Sequence, residues 1–125
     1  MKIYQSAEDY LESILTLLEK HGLVRSIDVA NDLGVSKPSV SIAMKKLREN
    51  DLISMDADGH ITLLPEGEAI ARRVYERHEL LTRFFTKLGV PQEIAAADAC
   101  KVEHVLSQET FDRIKAHAMG EDANV

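Results

Sequence analysis

Cysteine occurs once in the 125 residues, at position 100. A single cysteine excludes an intramolecular disulfide framework. It leaves Cys100 as a buried small hydrophobe, a reactive thiol or a metal ligand. Long apolar runs are missing too: none approaches the roughly 18 residues that a membrane span needs. The N-terminal MKIYQSAEDY lacks the apolar centre of a secretory leader. A cytoplasmic protein with no membrane partner is expected. Gly-rich phosphate loop, nucleophile elbow and HExxH motif are all absent, which speaks against the commonest enzyme chemistries. Neither internal repeats nor low-complexity segments occur. Positive charge is scarce, with a net charge of −6, and that argues against a simple nucleic-acid binder.

What is present is an ordinary folded composition, 45% hydrophobic and 29% charged. The length suits one compact domain or two small subdomains sharing a core. Charge is unevenly spread: residues 1–22 carry −2, 23–50 carry +2, 51–75 carry −3 and 76–125 carry −3. The basic segment holds Lys37, Lys45, Lys46 and Arg48. An acidic body with one basic head suits a specific DNA binder with weak non-specific affinity, because that affinity comes from phosphate neutralisation.

Apolar periodicity predicts a first helix from about Ala7 to Lys20, with Ser6 as N-cap and Asp9 in a capping box. A short helix follows over about Ser26–Leu33, with Ile27, Val29, Ala30 and Leu33 inward. Gly34 makes the turn, and Ser36 caps a third helix with Pro38 in its first turn. Val40, Met44 and Leu47 mark that helix's buried face. Leu52–Met55 and His60–Leu63 read as strands around the turn Asp56-Ala57-Asp58-Gly59. Pro65 opens a long helix to about Leu88, stopped by Gly89. A further helix is expected from near Pro91 to about Leu106, and Ser107 caps a last one to about Met119, followed by a frayed tail.

Helix, short helix, Gly turn, helix and hairpin is the order of a winged helix-turn-helix. The fold class is therefore mainly α: a winged-helix DNA-binding domain over residues 1–64, then a helical domain over 65–125. The recognition helix presents Ser36, Lys37, Pro38, Ser39, Ser41 and Ile42 near its N-terminus for base edges, thymine methyls and phosphate. Lys45, Lys46 and Arg48 suit phosphates, which position the protein but do not specify sequence. The competing reading is a winged helix used for protein contact, with those cations on a solvated face.

Cys100, Glu103 and His104 stand at i, i+3 and i+4, on one side of the expected helix. Asp9 and Glu12 are likewise one turn apart, and His78 lies in the long helix. Thiolate, imidazole and carboxylates together suit a first-row transition metal. Crowding the anions without a cation would be costly. Each residue also has an ordinary reading as a packed, capping or solvated side chain.

Over nearly the whole chain the sequence resembles the DtxR/MntR family of metal-dependent repressors. The matching stretches are residues 8–12 (EDYLE), 35–41 (VSKPSVS), 66–67 (EG), 77–81 (RHELL) and 100–107 (CKVEHVLS). The resemblance implies a winged helix followed by a helical dimerisation and metal-binding region, acting as a homodimer on a palindromic operator in double-stranded DNA. It implies the ligand set Asp9, Glu12, His78, Cys100, Glu103 and His104, and Mn2+ or Fe2+ as co-repressor, with Co2+ or Zn2+ possible in vitro. The manganese branch has Glu where this chain has Cys100. The iron branch has that Cys, but Met where this chain has Asp9. The iron branch's ancillary site further needs an acid at position 82 and a His at 96, which here are Thr82 and Ala96. Leu64 replaces the family's Thr cap, at a cost of about 1 kcal/mol. The SH3-like third domain of larger members is expected to be absent. The runs Leu80-Leu81 and Phe84-Phe85 are candidates for the dimer contact.

Three other functions fit less well. A metal-independent winged-helix repressor answering a small molecule leaves the six polar positions unexplained. A zinc hydrolase needs an open coordination position and a general base in a cleft. A pure protein-interaction module does not need the Ser-Pro-Ser helix start.

Overall fold

The computed structural model describes residues 5–123, and side chains for residues 6–118. Six helices and one hairpin follow in the order α1 (Gln5–His21), α2 (Ser26–Leu33), α3 (Lys37–Glu49), β1 (Ile53–Met55), β2 (Ile61–Leu63), α4 (Pro65–Lys87), α5 (Gln92–Val102) and α6 (Gln108–Ala123). The chain divides into two compact units, 1–73 and 74–125, and the division falls inside α4.

The first unit is built on a continuous apolar core. Leu11, Ile14 and Leu15 of α1 meet Val29 and Ala30 of α2, Val40, Met44 and Leu47 of α3, and Leu52, Ile53 and Ile61 of the hairpin. Burying a leucine or isoleucine of this kind contributes about 2 kcal/mol. Ser13, almost fully buried, donates to Asp32 at 2.7 Å and so ties α1 to α2 with a satisfied polar pair. The strands pair antiparallel, Ile53 with Leu63, Ser54 with Thr62 and Met55 with Ile61. Ile61 also donates to the Val24 carbonyl at 2.8 Å, which fastens the hairpin to the loop before α2.

Turn chemistry sets the helix ends. Gly34 closes α2 in the left-handed region at φ 67°, where glycine carries no Cβ penalty. Ser36 caps α3, its hydroxyl accepting from the Ser39 amide at 3.2 Å. The far end of α3 closes with Leu52 N donating to Leu47 O at 3.0 Å, around Asp51 at φ 57°. This is a Schellman-type stop with aspartate where glycine is usual. At the hairpin tip the Asp56 carboxylate accepts from the amides of Asp58 and His60, each at 2.9 Å. The bond from the His60 amide is the main reason its pKa lies below the ordinary carboxylate value.

Three expectations need correction. Ser6 is not the N-cap of α1, because the helix already includes Gln5 and Ser6 lies within it. Ile27 is exposed rather than inward: it precedes Val29 by two residues, about 200° around the helix. α5 ends at Val102 rather than near Leu106, so Glu103 is its C-cap and His104 lies in the following turn. α6 is capped as expected, Ser107 Oγ accepting from the Thr110 amide at 3.1 Å. It continues to Ala123, past the expected end near Met119. Residues 124–125 of the expected frayed tail lie outside the described residues.

Gly67 is the tightest point of the first unit. A Cβ there would stand 2.0 Å from the Leu52 carbonyl oxygen. The same oxygen accepts from Leu64 N at 3.0 Å. The start of α4 therefore lies directly on the chain entering β1. Gly67→Ala is expected to cost at least the 1–3 kcal/mol typical of overpacking, roughly, because the clash is with backbone. Thermal unfolding should show a Tm several degrees lower, whereas Ala69→Gly on an exposed face should cost only the usual helix penalty of about 1 kcal/mol. An unchanged Tm for Gly67→Ala would mean α4 does not approach Leu52 this closely.

Candidate metal centre and nucleic-acid interface

α3 has two faces. Val40, Met44 and Leu47 are buried, while Lys37, Pro38, Ser39, Ser41, Ile42, Lys45, Lys46 and Arg48 are exposed, as is the capping Ser36. Among the described residues none of these four cations forms an ion pair, so no described side chain competes with phosphate for them. The Ser36 hydroxyl is committed locally: it accepts from the Ser39 amide and donates to Ser39 Oγ at 2.8 Å. Its first role is thus the cap. Ile42 leaves 59% of its surface in solvent on the same face. The hairpin offers no lysine or arginine between Asp51 and Leu64 and carries Asp56 and Asp58 at its tip.

The six expected metal ligands fall into two groups. Asp9 and Glu12 stand one turn apart on α1 of the first unit, both half-buried. His78, Cys100, Glu103 and His104 belong to the second unit. There α4 supplies His78, α5 supplies Cys100 and, at its C-cap, Glu103, and the next residue is His104. Glu103 is the centre of this second group. Its side chain has no exposed surface, its Oε2 lies 2.9 Å from His78 Nδ1, and its Oε1 lies 3.4 Å from His104 Nε2. The His104 side chain is 1% exposed and that of His78 27%. Cys100, one helical turn before Glu103, is exposed, which removes its reading as a buried small hydrophobe.

A wholly buried carboxylate costs several kcal/mol, roughly, unless a cation and hydrogen bonds compensate it. Oε1 of Glu103 has no hydrogen-bond partner among the described residues. Imidazole nitrogen, carboxylate oxygen and thiolate converging on such a group are the donor set of a divalent first-row metal. The residues present therefore fit a metal ion.

Beside His78 a groove of about 610 Å³ is lined in part by Thr82 and Ala96. These are the two positions at which the iron branch would need an acid and a histidine. Here they offer a hydroxyl and a methyl group. Arg77, which the sequence reading did not single out as functional, is buried beside the centre. It interrupts the apolar stripe of Val74 and Leu81 on α4, and a charged residue at that spacing is the signal that marks it.

Residues 2–61 match the family profile described as iron dependent repressor, N-terminal DNA binding domain, and residues 64–119 match its metal binding and dimerisation domain. The transcriptional regulator MntR of Salmonella typhimurium is 41% identical over 109 residues, spanning 87% of this chain and 69% of that protein. The chain belongs to the DtxR/MntR family. A second member, the MntR regulator of Geobacillus kaustophilus, is 37% identical over 87% of this chain and 77% of its own length. Among solved structures, a manganese-dependent transcriptional repressor in complex with manganese is 31% identical with a TM-score of 0.80, covering 89% of this chain. This chain spans about half of that one, 51%. DtxR/MntR members are metal-dependent transcriptional regulators, and this one carries both a DNA-binding and a metal-binding and dimerisation domain. Among the described residues no helix is long and apolar enough to cross a membrane.

The two kinds of side chain on α3 make a separable prediction. Lys45→Ala should weaken operator and random DNA alike and lower the salt slope of binding by about one unit. Ile42→Ala should alter sequence preference and leave the salt slope unchanged. Fluorescence anisotropy over a salt series measures both, and an unchanged salt slope for Lys45→Ala would remove that residue from the interface.

Proposed function

We propose that this chain is a repressor that binds a palindromic operator as a cytoplasmic homodimer when loaded with Mn2+ or Fe2+, and so controls genes of metal homeostasis. The observation that carries the reading is the buried Glu103 carboxylate between two imidazoles, in a chain whose other unit is a winged helix with exposed cations on its third helix. Asp9 and Glu12 from the first unit, with His78, Cys100, Glu103 and His104 from the second, are the groups that would hold the ion. Such an ion would supply positive charge beside the buried carboxylate, which the imidazoles of His78 and His104 flank. Occupancy would then favour the DNA-competent state of the protein over others. The coupling this requires is modest, about 1–3 kcal/mol.

The likeness to a manganese-dependent repressor solved with manganese points to that ion. Cys100 points to softer ions, since thiolate prefers iron(II), cobalt(II) or zinc. It also makes the site sensitive to oxidation. Ser39, Ser41, Pro38 and Ile42 are the residues assigned to the bases, and Lys37, Lys45, Lys46 and Arg48 those assigned to phosphates.

An anaerobic DNA-binding titration on the protein's own promoter region, at fixed salt, tests the proposal. Binding should appear only with Mn2+ or Fe2+ and vanish on chelation. Glu103→Ala should lose the metal response while keeping its helical circular dichroism. Equal binding after full chelation would refute the co-repressor role. Cys100→Glu should move the metal ranking toward manganese, and an unmoved ranking would exclude Cys100 as a ligand.

A further inference from the structure

We infer that Arg77 is a positioning residue for the metal centre: its guanidinium fixes the turn that presents Glu103 and His104, and so sets the affinity and geometry of the site. This rests on the function proposed above.

α5 stops at Val102. The last carbonyls of any helix lack intrahelical partners. Here the bonds Val105 N to Val102 O at 3.1 Å and Leu106 N to Val102 O at 3.2 Å close a turn but leave the carbonyls of Glu103 and Leu106 to find donors elsewhere. Arg77 provides both. Its Nη1 donates to Glu103 O at 3.1 Å and to Leu106 O at 2.8 Å, bridging the turn. Its Nη2 donates to Gln108 Oε1 at 3.0 Å, on the first residue of α6. The guanidinium carbon lies 5.1 Å from the centre of the Phe111 ring. One planar group thus holds residues 103, 106, 108 and 111. The next residue on α4 is His78, whose Nδ1 meets the Glu103 carboxylate. Adjacent residues of α4 therefore grip the backbone and the side chain of the same glutamate.

Packing alone does not call for an arginine here. Arg77 is 7% exposed, between Val74 and Leu81 on one stripe of α4, and its Nε has no hydrogen-bond partner among the described residues. An apolar side chain would fill the space without desolvating a cation. What arginine adds is several donors in a rigid fork. A lysine ammonium has its three donors on one nitrogen, so it could meet the two carbonyls but not also reach Gln108 and lie flat on Phe111. Groups that orient metal ligands typically change affinity 10- to 100-fold, roughly, when altered.

The test compares wild type with Arg77→Lys as full chains without DNA. Calorimetry gives Mn2+ affinity and stoichiometry. Anaerobic Co2+ absorption reports coordination geometry and thiolate ligation, and apo-protein melting and circular dichroism report the fold. Arg77→Lys should bind Mn2+ about 10- to 100-fold more weakly, with an altered Co2+ spectrum. Wild-type affinity and spectrum in the folded variant would overturn the inference, even with a lowered Tm, because that is the result of a merely structural role. Should Arg77→Lys not fold, Gln108→Ala at an exposed position removes the Nη2 acceptor together with the local 2.8 Å bond from Gln108 Nε2 to Asp112, and leaves both carbonyl bonds of Arg77 in place. It should weaken Mn2+ at least threefold, and an unchanged affinity would overturn the inference. Wild type that binds neither metal would refute the proposed function itself, and the inference with it. Wild type that binds while the variants match it would refute the inference alone.

Discussion

Glu103 carries a carboxylate with no exposed surface, and the second unit is arranged around that fact. A buried anion must be met by cations or donors. Here the nearest groups are the imidazoles of His78 and His104, from α4 and from the turn after α5. The helix that brings Glu103 inward has to end there for His104 to leave the helical path. Just past that end, Arg77 takes the carbonyls of Glu103 and Leu106. The chemistry of the site and the termination of α5 thus meet at the same turn.

The first unit solves a different problem, which is to hold a short polar helix with its reading face outward. Val40, Met44 and Leu47 anchor one side of α3 in the core, the Ser36 cap fixes its start, and the turn at Asp51 fixes its end. α4 is held to the same unit by Gly67 over the Leu52 carbonyl, by the 2.9 Å ion pair of Arg73 with Glu8, and by Arg72 with Glu19. Glu8 is nearly buried and precedes Asp9, so the α1 turn that bears Asp9 and Glu12 is itself braced by α4.

Local signals were legible in the sequence wherever local chemistry decides. Gly34, Ser36, Pro65, Gly89 and Ser107 mark element ends that the structure shares, and the 3.6-residue period of α3 separates its buried from its exposed positions. The end of α5 was not legible. Ala95, Ala99, Val102 and Leu106 keep a helical spacing with no glycine or proline to interrupt it. The carbonyls just past its end are taken by a side chain on α4, far away in sequence. The same reason hid the role of Arg77: its place in the apolar stripe marks it in the sequence, but its partners on α5 and α6 are set by the tertiary fold. Cys100 was undecided between burial and ligation because the face of α5 it occupies depends on tertiary packing. His104 was expected on the helix and proves to lie just beyond it. The grouping of His78, Glu103 and His104 survives that change because the turn brings the ring back to the carboxylate.

If ion binding and operator binding are linked, each must strengthen the other by the same factor. The most direct measurement is the Mn2+ affinity of the homodimer, by calorimetry, alone and saturated with operator DNA. The account predicts that operator tightens Mn2+ about 5- to 150-fold, and that Mn2+ tightens operator by the same factor at equal salt. Identical Mn2+ affinity with and without operator would contradict it.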